Sequence, residues 1–200
     1  MIHDHDRSYY IGASDTKFVM GNWNTQTFRH WWDIKMGFDD DDIDNIYLRT
    51  GTMYEPKILD RFSVEDRDRQ IIIGRLRVNL DGELIYNDDA ELNTVVEVKT
   101  YAFDPLKIWT PPKQYVQQVQ VEMFATDYNS AILIGYGVDE HDYDAVERGE
   151  TLVLSNERFR SVTYQRDDDW IENKYLPRLW YLCDCLEKEK LPCMEDLHLT

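Results

Sequence analysis

The residues best suited to chemistry lie in Glu97-Val98-Lys99, which falls inside the apolar segment Thr94–Thr100. On an extended chain, positions 95, 97 and 99 share one face while Val96 and Val98 point to the other. A carboxylate and an ammonium then emerge side by side. The carboxylate can hold Mg2+, and the lysine can position or deprotonate a water and stabilise charge building on a phosphoryl oxygen. The plain alternative is an ion pair along a solvent-facing strand. Asp81-Gly82 precedes the triplet by one hairpin. Antiparallel neighbours would bring Asp81 to about 5 Å from Glu97. Two carboxylates at that separation repel unless a cation lies between them. Asp-Gly is also a preferred hairpin dipeptide, so Asp81 has a turn-forming reading as well.

Three further residues carry two readings each. Glu55 completes Thr52-x-x-Glu55, a capping box followed by Pro56, and a helix start is also where a carboxylate can approach a metal. Ser14 can cap the helix that follows it or hold a phosphate at that helix start. Gln118 shares a stripe with Gln114 and Glu122 at i±4, flanked by Tyr115, Val119 and Met123 as core. Its amide can orient water or phosphate, and a solvated polar face is the default for that stripe.

The elements that must position these groups follow from periodicity. A short helix after Ser14 and one over Thr25–Met36, with Phe28, Trp31, Trp32 and Ile34 inward, open the chain; helices over Ile43–Arg49 and Met53–Phe62 are separated by Gly51. Gln70–Leu80, Glu83–Tyr86 and Thr94–Thr100 are rich in β-branched residues and punctuated by turn signals, predicting three antiparallel strands of one sheet. Lys113–Tyr128 reads as helix, Ser130–Val138 as a continuous apolar strand, and Thr151–Leu154 and Arg158–Tyr164 as edge strands. A helix over Asp169–Lys188 closes the chain, with Trp170, Tyr175, Leu176, Leu179, Leu182 and Leu186 buried and Pro177 expected to kink or interrupt it. Asp39–Asp42 and Asp167–Asp169 are acidic runs placed as helix starts. The result is a mixed α/β layer architecture in one domain spanning residues 1–200.

Composition narrows the function classes. With 22 basic and 39 acidic residues the formal charge is −17, which disfavours general coating of nucleic acid unless metal ions or local basic groups overcome the field. Arg75, Arg77, Lys99 and Lys113 are the candidates for such a basic channel. No apolar run reaches the length of a membrane span, and the N-terminus lacks the parts of a signal peptide, so an intracellular, cytoplasmic protein is expected. Cys183, Cys185 and Cys193 read as reduced structural thiols, the alternative being three soft ligands to zinc or an iron–sulfur cluster with a fourth such as His198.

Taken in order, Arg7-x6-Ser14, Gly51-x3-Glu55-Pro56, Asp81-Gly82, Glu97-x-Lys99 and Tyr115-x2-Gln118-x-Gln120-x2-Met123 resemble the lambda-type exonucleases, the YqaJ-like viral recombinase nucleases of the PD-(D/E)XK superfamily. The similarity spans about residues 7–126. It implies a restriction-endonuclease-like core with a mixed central sheet flanked by helices. It also implies that Asp81, Glu97, Glu55 and the Val98 carbonyl bind Mg2+, or Mn2+ as substitute, and that Lys99 serves the attacking water. Gln118 would orient that water or the scissile phosphate, and Arg7 and Ser14 would hold a 5′-terminal phosphate. Two departures stand: Asn79-Leu80 replace the family's usual small residue and Pro, and the long Asp81–Glu97 spacing leaves Asp88, Asp89 and Glu91 as rival ligands.

The expected activity is metal-dependent hydrolysis of linear duplex DNA from its 5′ ends in a bacterial or phage-infected cell. The partners the resemblance implies are duplex ends, a single-strand annealing protein and further copies of the chain in a ring trimer. The competing expectation is a catalytically inactive acidic relative that binds a protein partner or mimics DNA.

Overall fold

The computed structural model describes residues 9–39 and 45–197. Arg7, His198 and most of the Asp39–Asp42 run lie outside them. Its centre is a five-stranded mixed sheet of order β2-β5-β6-β7-β8, comprising β2 (Asp66–Arg67), β5 (Gly82–Leu84), β6 (Thr94–Ala102), β7 (Ser130–Val138) and β8 (Phe159–Gln165). β6 and β7 run parallel in register from Thr94↔Ser130 to Ala102↔Val138, and the outer pairings are antiparallel. Their β-branched sequences suit a strand pair covered on both faces. The expected mixed sheet flanked by helices is what forms.

A second sheet of order β1-β4-β3 contains β1 (Ile11–Gly12), β3 (Gln70–Ile73) and β4 (Leu76–Asn79). The single strand expected over Gln70–Leu80 is instead a hairpin. Gly74, at φ +60°, supplies the left-handed residue of a two-residue turn, and the expected three-strand meander is divided between two sheets. Asp81 therefore sits at the bend where the chain leaves one sheet for the other. Gly82 is a strand residue whose added Cβ would stand 2.5 Å from Val64 Cγ1, so the dipeptide shapes close packing rather than a hairpin turn.

Helix α1 (Thr16–Val19) precedes α2 (Gln26–Lys35), whose N-cap Thr25 accepts a bond from the Phe28 amide and whose Phe28, Trp31 and Trp32 are buried. The next helix, α3 (Ile46–Arg61), runs unbroken through Gly51 and Pro56, where two helices were expected. Asn45 caps it, so Thr52 is not an N-cap; its hydroxyl donates to the Leu48 carbonyl at 3.1 Å. Burial of Thr50, Tyr54, Ile58 and Leu59 outweighs the propensity cost of the glycine and proline. A Cβ at Gly51 would lie 3.7 Å from Thr100 Oγ1, so the helix passes close to β6.

Helix α4 (Lys113–Thr126) is the crossover between β6 and β7, and α5 (Glu140–Glu147) follows β7. Alternate residues of β6 serve two cores: Val95 packs with Val119, Met123 and Leu133, while Val96 and Val98 pack with Tyr54, Ile58 and Ile134. Thr151–Leu154 forms no strand, although Leu152 is buried. The closing helix starts at Asp167, whose carboxylate accepts from the Trp170 amide, and passes through a π-helical turn, Ile171–Tyr175, into α6 (Leu176–Glu187). In the widened turn the Leu176 amide donates to the Ile171 carbonyl, immediately before Pro177, whose nitrogen has no proton to donate.

Candidate active site

Strand β6 is buried from Thr94 to Val98 and opens at Lys99, which places Glu97 and Lys99 at the border between core and surface. Glu97 is 1% exposed, and the Lys99 ammonium contacts its Oε1 directly. Past the Gly82↔Val96 pair, β5 no longer pairs with β6. The Val98 amide that would face it is taken by Asp81 Oδ2 at 2.8 Å. This fixes Asp81 beside Glu97, close enough for the two carboxyls to interact directly. Asp88, Asp89 and Glu91 are exposed on the turn after β5, and Asp89 caps the short 3-10 turn there by accepting from the Glu91 amide.

From the neighbouring layer α4 turns its polar stripe inward. Of the stripe expected to be solvated, Gln114 is exposed, but Gln118 and Glu122 are buried, Glu122 at 0% exposure, and the adjoining Gln117 and Gln120 are inside as well. Gln118 Nε2 donates to Glu97 Oε1 at 2.6 Å and to Glu122 Oε1 at 2.8 Å. Gln120 ties α4 to the end of β8, donating to the Gln165 carbonyl at 2.8 Å and accepting from the Asp167 amide at 2.7 Å. Glu122 was visible in the sequence as part of the stripe. Nothing in its local pattern distinguished a buried carboxylate from a solvated one.

The electrostatics follow from the burial. Desolvation, with repulsion from Glu122, raises Glu97 from 4.5 to about 7. Desolvation and Asp81 raise Glu122 to about 7 in the same way. Half-buried Glu55, on α3, is lifted to about 7 by desolvation and by the nearby Asp81. Asp81 is itself pushed well above its ordinary value by desolvation and by Glu97. Burial alone would push the Lys99 ammonium down, yet Glu97 and Asp81 hold it above its ordinary value, so it is a cation at neutral pH. Its ammonium also stands 5.5 Å from the centre of the Tyr115 ring.

Glu55, Asp81, Glu97, Lys99 and Gln118 are thus brought together. Ser14 is exposed on the 3-10 turn Ala13–Asp15, which packs against α4; it makes no capping hydrogen bond. Asp15, beside it, receives the Trp31 indole N–H and the Lys35 ammonium. Of the channel candidates, Arg75 lies over Tyr9 and pairs with Glu187, and Arg77 lies over Tyr10. Cys183 and Cys185 are buried, Cys193 is half-buried, and all three are free thiols. Burial raises Cys183 to about 12, as expected of a structural thiol.

The donor set suits a hard divalent cation, being made of carboxylate oxygens and a strand carbonyl. Glu97 Oε2 and Glu122 Oε2 are both buried without a hydrogen-bond partner, an arrangement that native interiors avoid. Among the described residues no three acidic, histidine or cysteine side chains are already drawn into a closed cage, and Lys99 takes up one oxygen of Glu97.

Comparison with solved structures finds an alkaline exonuclease, LHK-Exo from Laribacter hongkongensis, at 16% identity and TM-score 0.66, covering 92% of this chain and 91% of that one. The same enzyme in complex with dAMP matches at 16% identity and TM-score 0.62, covering 93% and 91%. A phage-related exonuclease from Haemophilus somnus 129PT matches at 13% identity and TM-score 0.60, covering 92% and 95%. At such identities these likenesses speak for the fold. Among curated proteins none matches. Residues 3–129, well over half of the chain and including every element that carries the carboxylates, match the YqaJ-like viral recombinase domain, and the chain belongs to that family.

Proposed function

We propose that this protein is a divalent-metal-dependent exonuclease that hydrolyses linear duplex DNA from 5′ ends. The observation that carries the reading is the convergence of Glu55, Asp81, Glu97 and Lys99, from three separated stretches of chain, on one patch where buried carboxylate oxygens lack partners. Glu55, Asp81, Glu97 and the Val98 carbonyl would hold Mg2+ or Mn2+. Such an ion lowers the pKa of water and neutralises phosphate charge.

The chain's own groups do the rest. Lys99, held protonated by Glu97 and Asp81, acts as an electrostatic donor to the phosphoryl oxygen rather than as a base. Gln118, fixed to Glu97, keeps that carboxylate in one orientation. Water attacks phosphorus in line and gives up a proton to solvent, the bond from phosphorus to the 3′ oxygen breaks, that oxygen takes a proton from solvent, and a 5′-phosphorylated nucleotide with a free 3′ hydroxyl leaves. Ser14, on the turn against α4, and Arg7 would receive the 5′ phosphate. The remaining 3′ strand is a substrate for an annealing protein, and a ring trimer would keep the enzyme on its track despite the charge of −17.

The test is incubation with linear duplex bearing 5′ phosphates, with and without Mg2+, beside closed circles and RNA. Release of nucleotides that needs the metal and linear DNA, and that disappears in Glu97→Ala and Lys99→Ala, is the expected result. An inert wild type would overturn the reading in favour of an acidic binding module.

A further inference from the structure

The Gln118 carboxamide has two N–H donors, and both are spent on carboxylates: one on Glu97 Oε1 at 2.6 Å, the other on Glu122 Oε1 at 2.8 Å. A donor used twice in this way has none left for a water or a phosphate. Glu122 is fully buried one turn further along α4, behind Glu97. Its remaining oxygen, Oε2, has no partner, and neither has Glu97 Oε2. The helix spends a buried carboxylate, which is costly in a core, on a position where it accepts from the Gln118 amide and lies against Glu97.

We propose that Glu122 is a positioning residue: through the Gln118 amide it locks the Glu97 carboxylate in the orientation that leaves Glu97 Oε2 free for a divalent cation. The inference rests on the nuclease reading given above and deepens it. Without an acceptor at position 122, the amide is free to rotate about its terminal torsion, which has broad wells. Glu97 then loses its fixed partner and can turn both oxygens toward Lys99. What position 122 must supply is an acceptor of the right length.

The experiment is a calorimetric titration of the metal-free protein with Mn2+, together with steady-state kinetics on duplex DNA. The variants are Glu122→Gln, which keeps an acceptor oxygen, Glu122→Leu, which removes it at similar volume, Gln118→Ala, and Gln118→Ala combined with Glu122→Leu. Glu122→Gln is expected within about threefold of wild type in Mn2+ affinity and kcat. Glu122→Leu and Gln118→Ala should each lose about tenfold in both, with KM for DNA unchanged. The double variant should be no worse than Gln118→Ala alone, as required of residues acting in series. A tenfold loss in Glu122→Gln, or losses that multiply in the double variant, would overturn the proposal. If Glu122→Leu does not fold, Glu122→Ala takes its place: the same tenfold loss is expected, and wild-type Mn2+ affinity and kcat in it would overturn the proposal. Wild-type protein that binds no Mn2+ would instead remove the nuclease reading, which separates the two failures.

Discussion

Two knots of charge flank the central sheet, and they are built differently. In the first, Arg158 donates to Asp139 Oδ2 and Asp142 Oδ2, both at 2.6 Å, and the Tyr54 hydroxyl donates to Asp142 Oδ1. The other Asp139 oxygen accepts from the His141 and Asp142 amides, so every carboxylate oxygen there has a partner. Although desolvation pushes Asp139 up, Arg158 and the amides hold it below its ordinary value. In the second knot, Asp81, Glu97 and Glu122 share one ammonium, one carboxamide and the Val98 amide, and two oxygens are left over. A structural cluster saturates its lone pairs, whereas a cluster left short of donors is disposed to receive something from outside.

The largest expected effect sets the two knots directly against each other. Glu97→Gln should lower nuclease turnover on the order of 10³-fold while leaving the thermal midpoint of the metal-free protein unchanged or higher, because it removes a desolvated charge. Arg158→Met should do the reverse: a loss of about 2 kcal/mol in unfolding free energy, with turnover per folded molecule retained. Melting curves and active-fraction assays on both variants measure this. An unstable Glu97→Gln or an inactive but stable Arg158→Met would break the contrast.

Next in size, the role proposed for the Lys99 ammonium, acting on developing charge, requires that Lys99→Ala reduce kcat about 10²-fold with little change in KM for duplex DNA. A rise in KM at constant kcat would make Lys99 a binding group instead.

The unsatisfied knot should also show in pH dependence. Glu55, Glu97 and Glu122 have ordinary values of 4.5 and sit at about 7 in the fold. Between those values the folded state retains protons that the unfolded state has released, so stability falls as pH rises toward and through 7. Melting in EDTA should therefore occur at a lower temperature near pH 8 than near pH 5, and Glu97→Gln should flatten the slope. Mn2+ should restore stability at the higher pH by binding the native state. A flat profile in wild type would show that these carboxyls are not desolvated in solution. The smallest effect belongs to the satisfied knot: Tyr54→Phe leaves Asp142 one donor short and should cost about 1 kcal/mol without altering turnover.

Much of this was readable from the chain because the signals were local. The valine and isoleucine runs of β6 and β7 appear within a residue or two of their expected limits, and the alternation at positions 95–99 sends Glu97 and its neighbours where a strand must. The bend at Asp81 was harder, because Asn79-Leu80-Asp81-Gly82 looks like a turn within one sheet, while the packing of Gly82 against Leu59 and Val64 assigns it to a second one. The continuity of α3 across Gly51 and Pro56 depends on burial that no window of sequence displays. Glu122 was the least legible: a Gln-x3-Glu spacing is identical on a wet and a dry helix face, and only the approach of α4 to β6 decides which it is.

The bond from the Val98 amide to Asp81 has a use of its own. Where one strand has lost its neighbour, a backbone proton is guarded by a single acidic side chain. Deuterium uptake at that one proton thus registers any visitor that draws Asp81 away, giving the protein an isotopic gauge of occupancy that needs no dye and no reaction.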